Sequence, residues 1–102
     1  MKKGEAMSVK IFIRRKFKKE GMKDANSMLI EARKNAMECK GYISTETLVN
    51  YDDPQSVVII SMWQTKQDWD NYIYSAARRE REEKWAKLLE VPTEYEVFKM
   101  GM

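Results

Sequence analysis

The fold of this chain is most constrained by one run of eight residues near its middle, Val57–Gln64 (VVIISMWQ). The run is rich in β-branched residues and is too short to span a membrane, so it indicates a strand with apolar side chains on both faces. Exposed apolar surfaces larger than a few hundred Å² are rare in monomers, so both faces must be covered. We expect helices on one face and a second copy of the chain on the other, with the C-terminal strand or the leader as the alternative cover.

Strand and helix patterns alternate on either side of this run. In chain order they are a strand from Val9 to Arg14, a helix from Met22 to Cys39, a strand from Tyr42 to Tyr51, a helix that starts after Thr65 and breaks near Ser75–Arg79, and a strand from Thr93 to Met100. With the central run the order is βαββαβ, which predicts an α+β, ferredoxin-like antiparallel sheet with helices on one face. We expect residues 8–100 to form a single domain and residues 1–7 to be a disordered leader.

The composition excludes several kinds of chemistry. The chain has no histidine and one cysteine, Cys39. Without histidine it lacks the commonest general base and the usual zinc and haem ligand, and one cysteine cannot form an internal disulfide or a thiolate metal cluster. No metal site is therefore predicted. No apolar run is long enough for a membrane span and no apolar segment follows the basic start, so we expect a cytoplasmic protein without membrane contact.

Nucleic-acid binding is a second possibility that the sequence argues against. Basic residues cluster at residues 14–19 (RRKFKK), after the first strand of a fold shape shared with RNA-recognition modules. Those modules carry a basic, glycine- and aromatic-rich strand motif, but the corresponding strand here is the aliphatic Val57–Gln64. The net charge of +3 is also too small to imply a nucleic-acid partner by itself. We predict no nucleic-acid binding.

Five short segments are distinctive when taken together. They are Arg14-Arg15-Lys16, Gly41-Tyr42-Ile43-Ser44, Asp52-Asp53-Pro54, Ile60-Ser61-Met62-Trp63-Gln64, and Asp68-Trp69 with Ser75 and Arg78. They resemble the antibiotic biosynthesis monooxygenase family, and the resemblance covers nearly all of residues 8–100. It implies a dimeric α+β barrel, in which two chains form a homodimer through their sheets.

The resemblance also implies an activity. Family members include enzymes that add oxygen to aromatic polyketides without metal or flavin. By resemblance, this chain is expected to be a cofactor-independent monooxygenase-like protein that acts on or binds a small aromatic or quinone-like molecule and needs no cofactor. The alternative is a non-enzymatic dimer of the same fold that binds a small ligand or is structural, which the absence of an evident general base favours. Whether the chain is an enzyme therefore stays open.

Other family members degrade haem, with an asparagine on the first strand, a tryptophan at the end of the third strand and a histidine on the second helix. Trp63 matches the tryptophan. The other two positions fall on Arg14 or Arg15 and on residues 77–79, where asparagine and histidine are both missing. Haem degradation is not predicted.

The candidate ligand-binding residues are aromatic or basic. They are Arg15, Trp63, Trp69, Tyr72 and Arg78. The aromatic side chains can line a pocket for a flat molecule between sheet and helices, and either arginine can pair with an anionic oxygen. Tyr72 or Glu46 is the candidate base. The same residues also fit a packed core and a solvated strand end, and a pocket for such a ligand needs roughly 300 Å³ or more.

Overall fold

The computed structural model of the chain describes residues 8–100, so the leader predicted for residues 1–7 lies outside the described part. The strands are β1 (Val9–Lys16), β2 (Tyr42–Val49), β3 (Ser56–Trp63) and β4 (Glu94–Lys99), and the helices are α1 (Met22–Met37), α2 (Lys66–Ile73) and α3 (Ala76–Trp85). Short 3₁₀ turns at Lys19–Gly21 and Ala86–Leu88 lead into α1 and out of α3. No helix within this part of the chain is both long and apolar enough to cross a membrane.

The four strands form one antiparallel sheet in the order β2-β3-β1-β4. The apolar β3 therefore lies in the interior of the sheet, next to β1, and the less apolar β2 and β4 lie at its edges. Two strand–helix–strand connections joined by the β2–β3 hairpin produce this order. The predicted α+β, ferredoxin-like class is confirmed.

The helices pack on one face of the sheet, which we call the inner face. Odd-numbered residues of β1 and β3 point to it, since side chains alternate along a strand, and those from Val9 to Ile13 are buried. They pack against α1 through Ala25, Met28 and Ala36 and against the later helices through Trp69, Tyr72 and Trp85. This layer is the hydrophobic core.

Within residues 8–100, no helix packs on the opposite face of the sheet, which we call the outer face. The strand register places apolar and charged side chains on it. The apolar ones are Phe12, Leu48, Val58, Ile60, Met62 and Phe98. Phe12 and Phe98 make an edge contact at 5.2 Å, and Arg14 pairs with Glu96 beside them. All six residues of β4 are exposed in part, although Tyr95 on its inner face still contacts Trp69 and Arg78.

Two local features of the sequence have clear structural consequences. The second helix breaks where predicted: α2 ends at Ile73, and Ser75 caps α3 by accepting a hydrogen bond from the backbone N–H of Arg78. Gly41 lies in the turn beyond α1, and its φ is 88°. It is not adjacent to the helix end, since α1 stops at Met37. A side chain at residue 41 would overlap Asp68, so glycine is needed for close approach as well as for its backbone angle.

Candidate functional site

A cavity of about 40 Å³ lies between the inner face of the sheet and the three helices. Four of the five candidate residues line it: Arg15 from β1, Trp69 and Tyr72 from α2, and Arg78 from α3. The volume is enough for a few water molecules but is well below that of a pocket for an aromatic molecule. The site therefore contains the expected residue types but less closed space than such a ligand requires.

Arg15 and Arg78 are both buried, with side chains only 3% exposed, although they come from a strand end and from a highly charged helix. Each interacts with Glu82, which lies four residues after Arg78 on α3. The Arg15 guanidinium lies 3.3 Å from Glu82 Oε2 and donates to Thr93 Oγ1 at 3.0 Å. Nη1 of Arg78 lies 2.7 Å from the same Glu82 oxygen. One carboxylate thus serves two buried cations, and Arg78 is not on the solvated helix face that the charged run suggests.

Two tyrosine hydroxyls complete the surroundings of Arg78. Its Nε donates to the Tyr72 hydroxyl at 3.2 Å, and its Nη2 donates to the Tyr95 hydroxyl at 3.1 Å. Burial lowers the pKa of the Arg78 guanidinium, but its electrostatic interactions with Tyr95, Tyr72 and Glu82 more than offset this, so its net pKa is raised. Arg78 therefore remains charged while buried.

Trp63 lies behind the cavity rather than on its wall. It is fully buried, stacks on Tyr72 with ring centroids 5.1 Å apart, and makes an edge contact with Tyr42 at 5.7 Å. Its indole N–H donates to Ser61 Oγ at 2.8 Å. In this structure Trp63 is a core residue that supports Tyr72 and Trp69.

A shallow groove of about 230 Å³ adjoins the cavity between α1 and the free edge of β2. Cavity and groove share the lining residues Leu29, Arg33 and Thr47. Arg33 reaches from α1 to β2 and donates to the backbone oxygen of Thr45 at 3.1 Å. The contact between Arg33 and Thr45 therefore lies at the junction of the two spaces.

The structure also adds residues to the site that the sequence argument does not name. Glu82 has a recognisable signal, since a carboxylate four residues after an arginine faces it on a helix. Tyr95 and Arg33 have no such signal, because their positions depend on the packing of β4 and α1. The candidate base Glu46 pairs with Ile60 in the sheet and lies on the outer face, away from the cavity. Within residues 8–100, no cluster of acidic residues and cysteine that could hold a metal ion is found.

Comparison with known proteins gives a fold assignment. Neither a family model nor a curated protein sequence matches the chain. Among solved structures, a conserved protein from Methanosarcina mazei Go1 matches with a TM-score of 0.84 at 14% identity, covering 94% of this chain and 95% of that one. SnoaB, a cofactor-independent oxygenase from Streptomyces nogalater, matches with a TM-score of 0.83 at 14% identity, covering 95% and 96%.

A further structure, an antibiotic biosynthesis monooxygenase, matches with a TM-score of 0.81 at 12% identity, covering 92% of this chain and 99% of that one. These similarities extend over nearly the whole of each chain, whereas the identities are low. They confirm the fold of the single chain that the sequence resemblance implies: this chain has the fold of the antibiotic biosynthesis monooxygenases.

Proposed function

We propose that the chain is a cofactor-independent monooxygenase-like protein that acts on or binds a small aromatic or quinone-like molecule at the cavity between sheet and helices. The observation that carries this proposal is the convergence of Arg15, Trp69, Tyr72 and Arg78 on one buried space. Aromatic side chains suit a flat ligand, and buried guanidinium groups suit negative charge that develops on it. The solved structures with this fold include SnoaB, a cofactor-independent oxygenase.

The reaction needs few protein groups, because an electron-rich aromatic anion can itself reduce dioxygen. In a balanced reaction of this type, the ring CH₂ group in the keto tautomer of a phenolic substrate and O₂ give a C=O group and water. The substrate carbon loses both hydrogens and four electrons, one oxygen atom stays on carbon, and the other leaves as water. In this scheme Trp69 and Tyr72 orient the substrate, and Arg15 and Arg78 stabilise its anion.

Entry of a ring requires more space than the cavity provides. The exposed Arg33 side chain separates the cavity from the groove, and rotation of this long side chain would join them. We propose that a flat ligand spans both, with one end beside Tyr72 and the remainder against Leu29 and Thr47.

A second function remains supported by a specific observation. Among the residues that line the cavity there is no carboxylate and no histidine, so Tyr72 is the one candidate proton acceptor there that the sequence argument names. A site without a strong base fits a dimer that binds a small ligand without turning it over. Binding without reaction is therefore the alternative.

Oxygen uptake distinguishes the two. The assay uses dihydroxy-aromatic substrates in the presence of a metal chelator and without added cofactor. An enzyme is expected to consume oxygen and to lose that activity in Tyr72→Phe and in Arg78→Gln, whereas Arg79→Gln, a change at an exposed neighbour, retains it. Binding without oxygen uptake would support the non-enzymatic alternative. Uptake that survives both Tyr72→Phe and Arg78→Gln would show that the residues are wrongly chosen.

We further propose that the chain forms a homodimer in which two outer faces pack together. No helix of residues 8–100 covers the apolar side chains of β1, β3 and β4 on that face, and Phe98 of β4 is 48% exposed. A second copy would bury this surface and convert two open sheets into the predicted barrel. We place the dimer in the cytoplasm, since its one cysteine is free and half-buried.

A further inference from the structure

The lining of the cavity carries a marked charge imbalance. Of the residues within 8–100 that line it, three are arginines, Arg15, Arg33 and Arg78, and none is acidic. Glu82 contacts Arg15 and Arg78, but its side chain is 24% exposed and it lies outside the lining. The single carboxylate of Glu82 can neutralise one of the two buried guanidinium charges, so one positive charge is left in excess. A buried charge without a counter-charge is unfavourable, so the site favours an anion.

Some hydrogen-bond donors around the two buried arginines have no acceptor. Nε of Arg15 is buried and has no hydrogen-bond partner within residues 8–100, whereas Nη1 of Arg78 is engaged by Glu82 Oε2 at 2.7 Å. Tyr72 accepts from Arg78 through its hydroxyl oxygen, which leaves its own proton available to an acceptor in the cavity. The Arg15 Nε–H and the Tyr72 hydroxyl can therefore donate to a ligand that has acceptors alone.

The cavity is large enough for a small charged group but not for a ring. Its 40 Å³ can take the oxygen atoms of a carboxylate or an ionised phenol in place of water. The neighbouring groove is larger and is partly apolar, with Leu29 and Ile30 on its α1 side. The polar cavity and the partly apolar groove therefore lie next to each other, with Arg33 between them.

We propose that the ligand of this site is an aromatic anion, with its anionic oxygen in the cavity between Arg15 and Arg78 and its ring in the groove between α1 and β2. This inference rests on the proposed function and adds the charge and the orientation of the ligand. It assigns Arg78 and Arg15 to charge recognition, and it assigns Glu82 to partial neutralisation of both when no ligand is bound.

The test compares two probes of nearly equal shape, 2-naphthoate and the neutral 2-naphthamide, by isothermal titration calorimetry on the full chain. We expect naphthoate to bind at least about tenfold more tightly, the factor expected for one hydrogen bond between charged groups. Arg78→Gln should abolish this preference. Arg79→Gln, the matched change on the exposed face of the same helix, should preserve it.

Glu82→Gln provides a second, independent test in which both buried arginines are kept. It keeps a similar shape but leaves two guanidinium charges uncompensated, so naphthoate affinity should rise about tenfold while naphthamide affinity stays unchanged. A purely structural role for Glu82 would weaken both probes or neither. Circular dichroism of each variant checks that it is folded.

The possible outcomes separate this inference from the proposed function. Equal affinity for the two probes would support the aromatic site but overturn its selectivity for anions. Weaker naphthoate binding in Glu82→Gln would overturn the assigned role of the two arginines. Failure of both probes to bind would overturn the aromatic site and this inference together.

Discussion

Trp63 shows how one residue can support a site without lining it. It is fully buried and contacts Tyr42, Trp69 and Tyr72. Trp63→Ala should lower the free energy of unfolding by about 3–5 kcal/mol, because it removes a large buried ring and leaves a cavity. Denaturant unfolding followed by circular dichroism measures this. The control Gln64→Ala changes an exposed neighbour and should stay within about 0.5 kcal/mol of the parent. A similarly small loss for Trp63→Ala would place the residue at a rim.

Gly41 is the second position at which a single residue constrains the fold. Its φ is 88°, and a Cβ at this residue would overlap the Asp68 side chain. Gly41→Ala should therefore destabilise the chain by about 2 kcal/mol or more, since it combines a left-handed backbone angle with a steric clash. Thermal unfolding measures the loss, and Lys40→Ala at the exposed preceding residue is the control. A stability equal to that of the parent would contradict the described turn.

At the scale of elements, the break between α2 and α3 determines the orientation of the site. Ser75 caps α3 and also donates to the backbone oxygen of Tyr72, so the two helices meet at a defined angle. Arg78 lies in the first turn after this break and reaches Tyr72 across it. A continuous helix would place Arg78 and Tyr72 on different sides, because residues six apart are separated by about 240° at 3.6 residues per turn.

The contact between β1 and the β2–β3 hairpin gives a pH-dependent prediction. Lys16 donates to Asp53, and this hydrogen bond, followed by one from Ser56, lowers the pKa of the Asp53 carboxyl. The same bond with Asp53 is the main cause that raises the pKa of Lys16. The contribution of Asp53 is therefore present above the ordinary carboxyl pKa of about 3.9 and is lost as pH falls through its lower folded value.

The contribution of Lys16 has the opposite sign. It is complete below the ordinary lysine pKa of about 10.4 and is lost as pH rises through the higher folded value. Two-dimensional NMR titration should give a depressed carboxyl pKa for Asp53, which Lys16→Met should return towards its ordinary value. Asp52→Asn, a change at the exposed neighbour, should leave it depressed. An ordinary pKa for Asp53 in the parent would contradict this contact.

Residues 8–100 leave the outer face of the sheet without a packed helix, and this leads to the prediction of a dimer. Light scattering at micromolar concentration should give about twice the chain mass of 12.1 kDa. Ile60→Lys introduces a charge at the centre of the outer face and should yield a monomer or an aggregate, because the charge would be buried at the interface. Ile30→Lys, at a residue 53% exposed on α1, should remain dimeric. A parent that stays monomeric would contradict the proposed barrel.

Much of this architecture could be predicted from the sequence because it depends on local pattern. The two-sided apolar run at residues 57–62 requires an interior strand, and alternation on β1 and β4 defines their faces. The side-chain hydroxyls of Thr65 and Ser75 mark the helix starts for local reasons of hydrogen bonding. The order of these patterns, together with the rules for strand connections, leaves few topologies to consider.

The character of the site could be predicted only in part. Odd-numbered alternation on β1 places Arg15 on the inner face, as the pattern requires, but nothing local shows that it is buried beside Glu82. Trp63 and Trp69 are both candidate ligand-binding residues in the sequence argument, yet one fills the core and the other lines the cavity. The roles of Tyr95, Arg33 and Glu82 depend on which segments meet across the sheet.

The sequence by itself thus determined the element order, the apolar inner face and the residue types available for chemistry, because each follows from periodicity and composition over short distances. The tertiary structure alone decided that two arginines share one carboxylate, that the cavity is small and free of acidic residues, and that a groove continues it towards the edge of β2. These features arise from contacts between residues far apart in the chain, such as Arg15 with Glu82 and Arg33 with Thr45. Their geometry depends on how helices of fixed length pack across a twisted sheet, which no local pattern encodes.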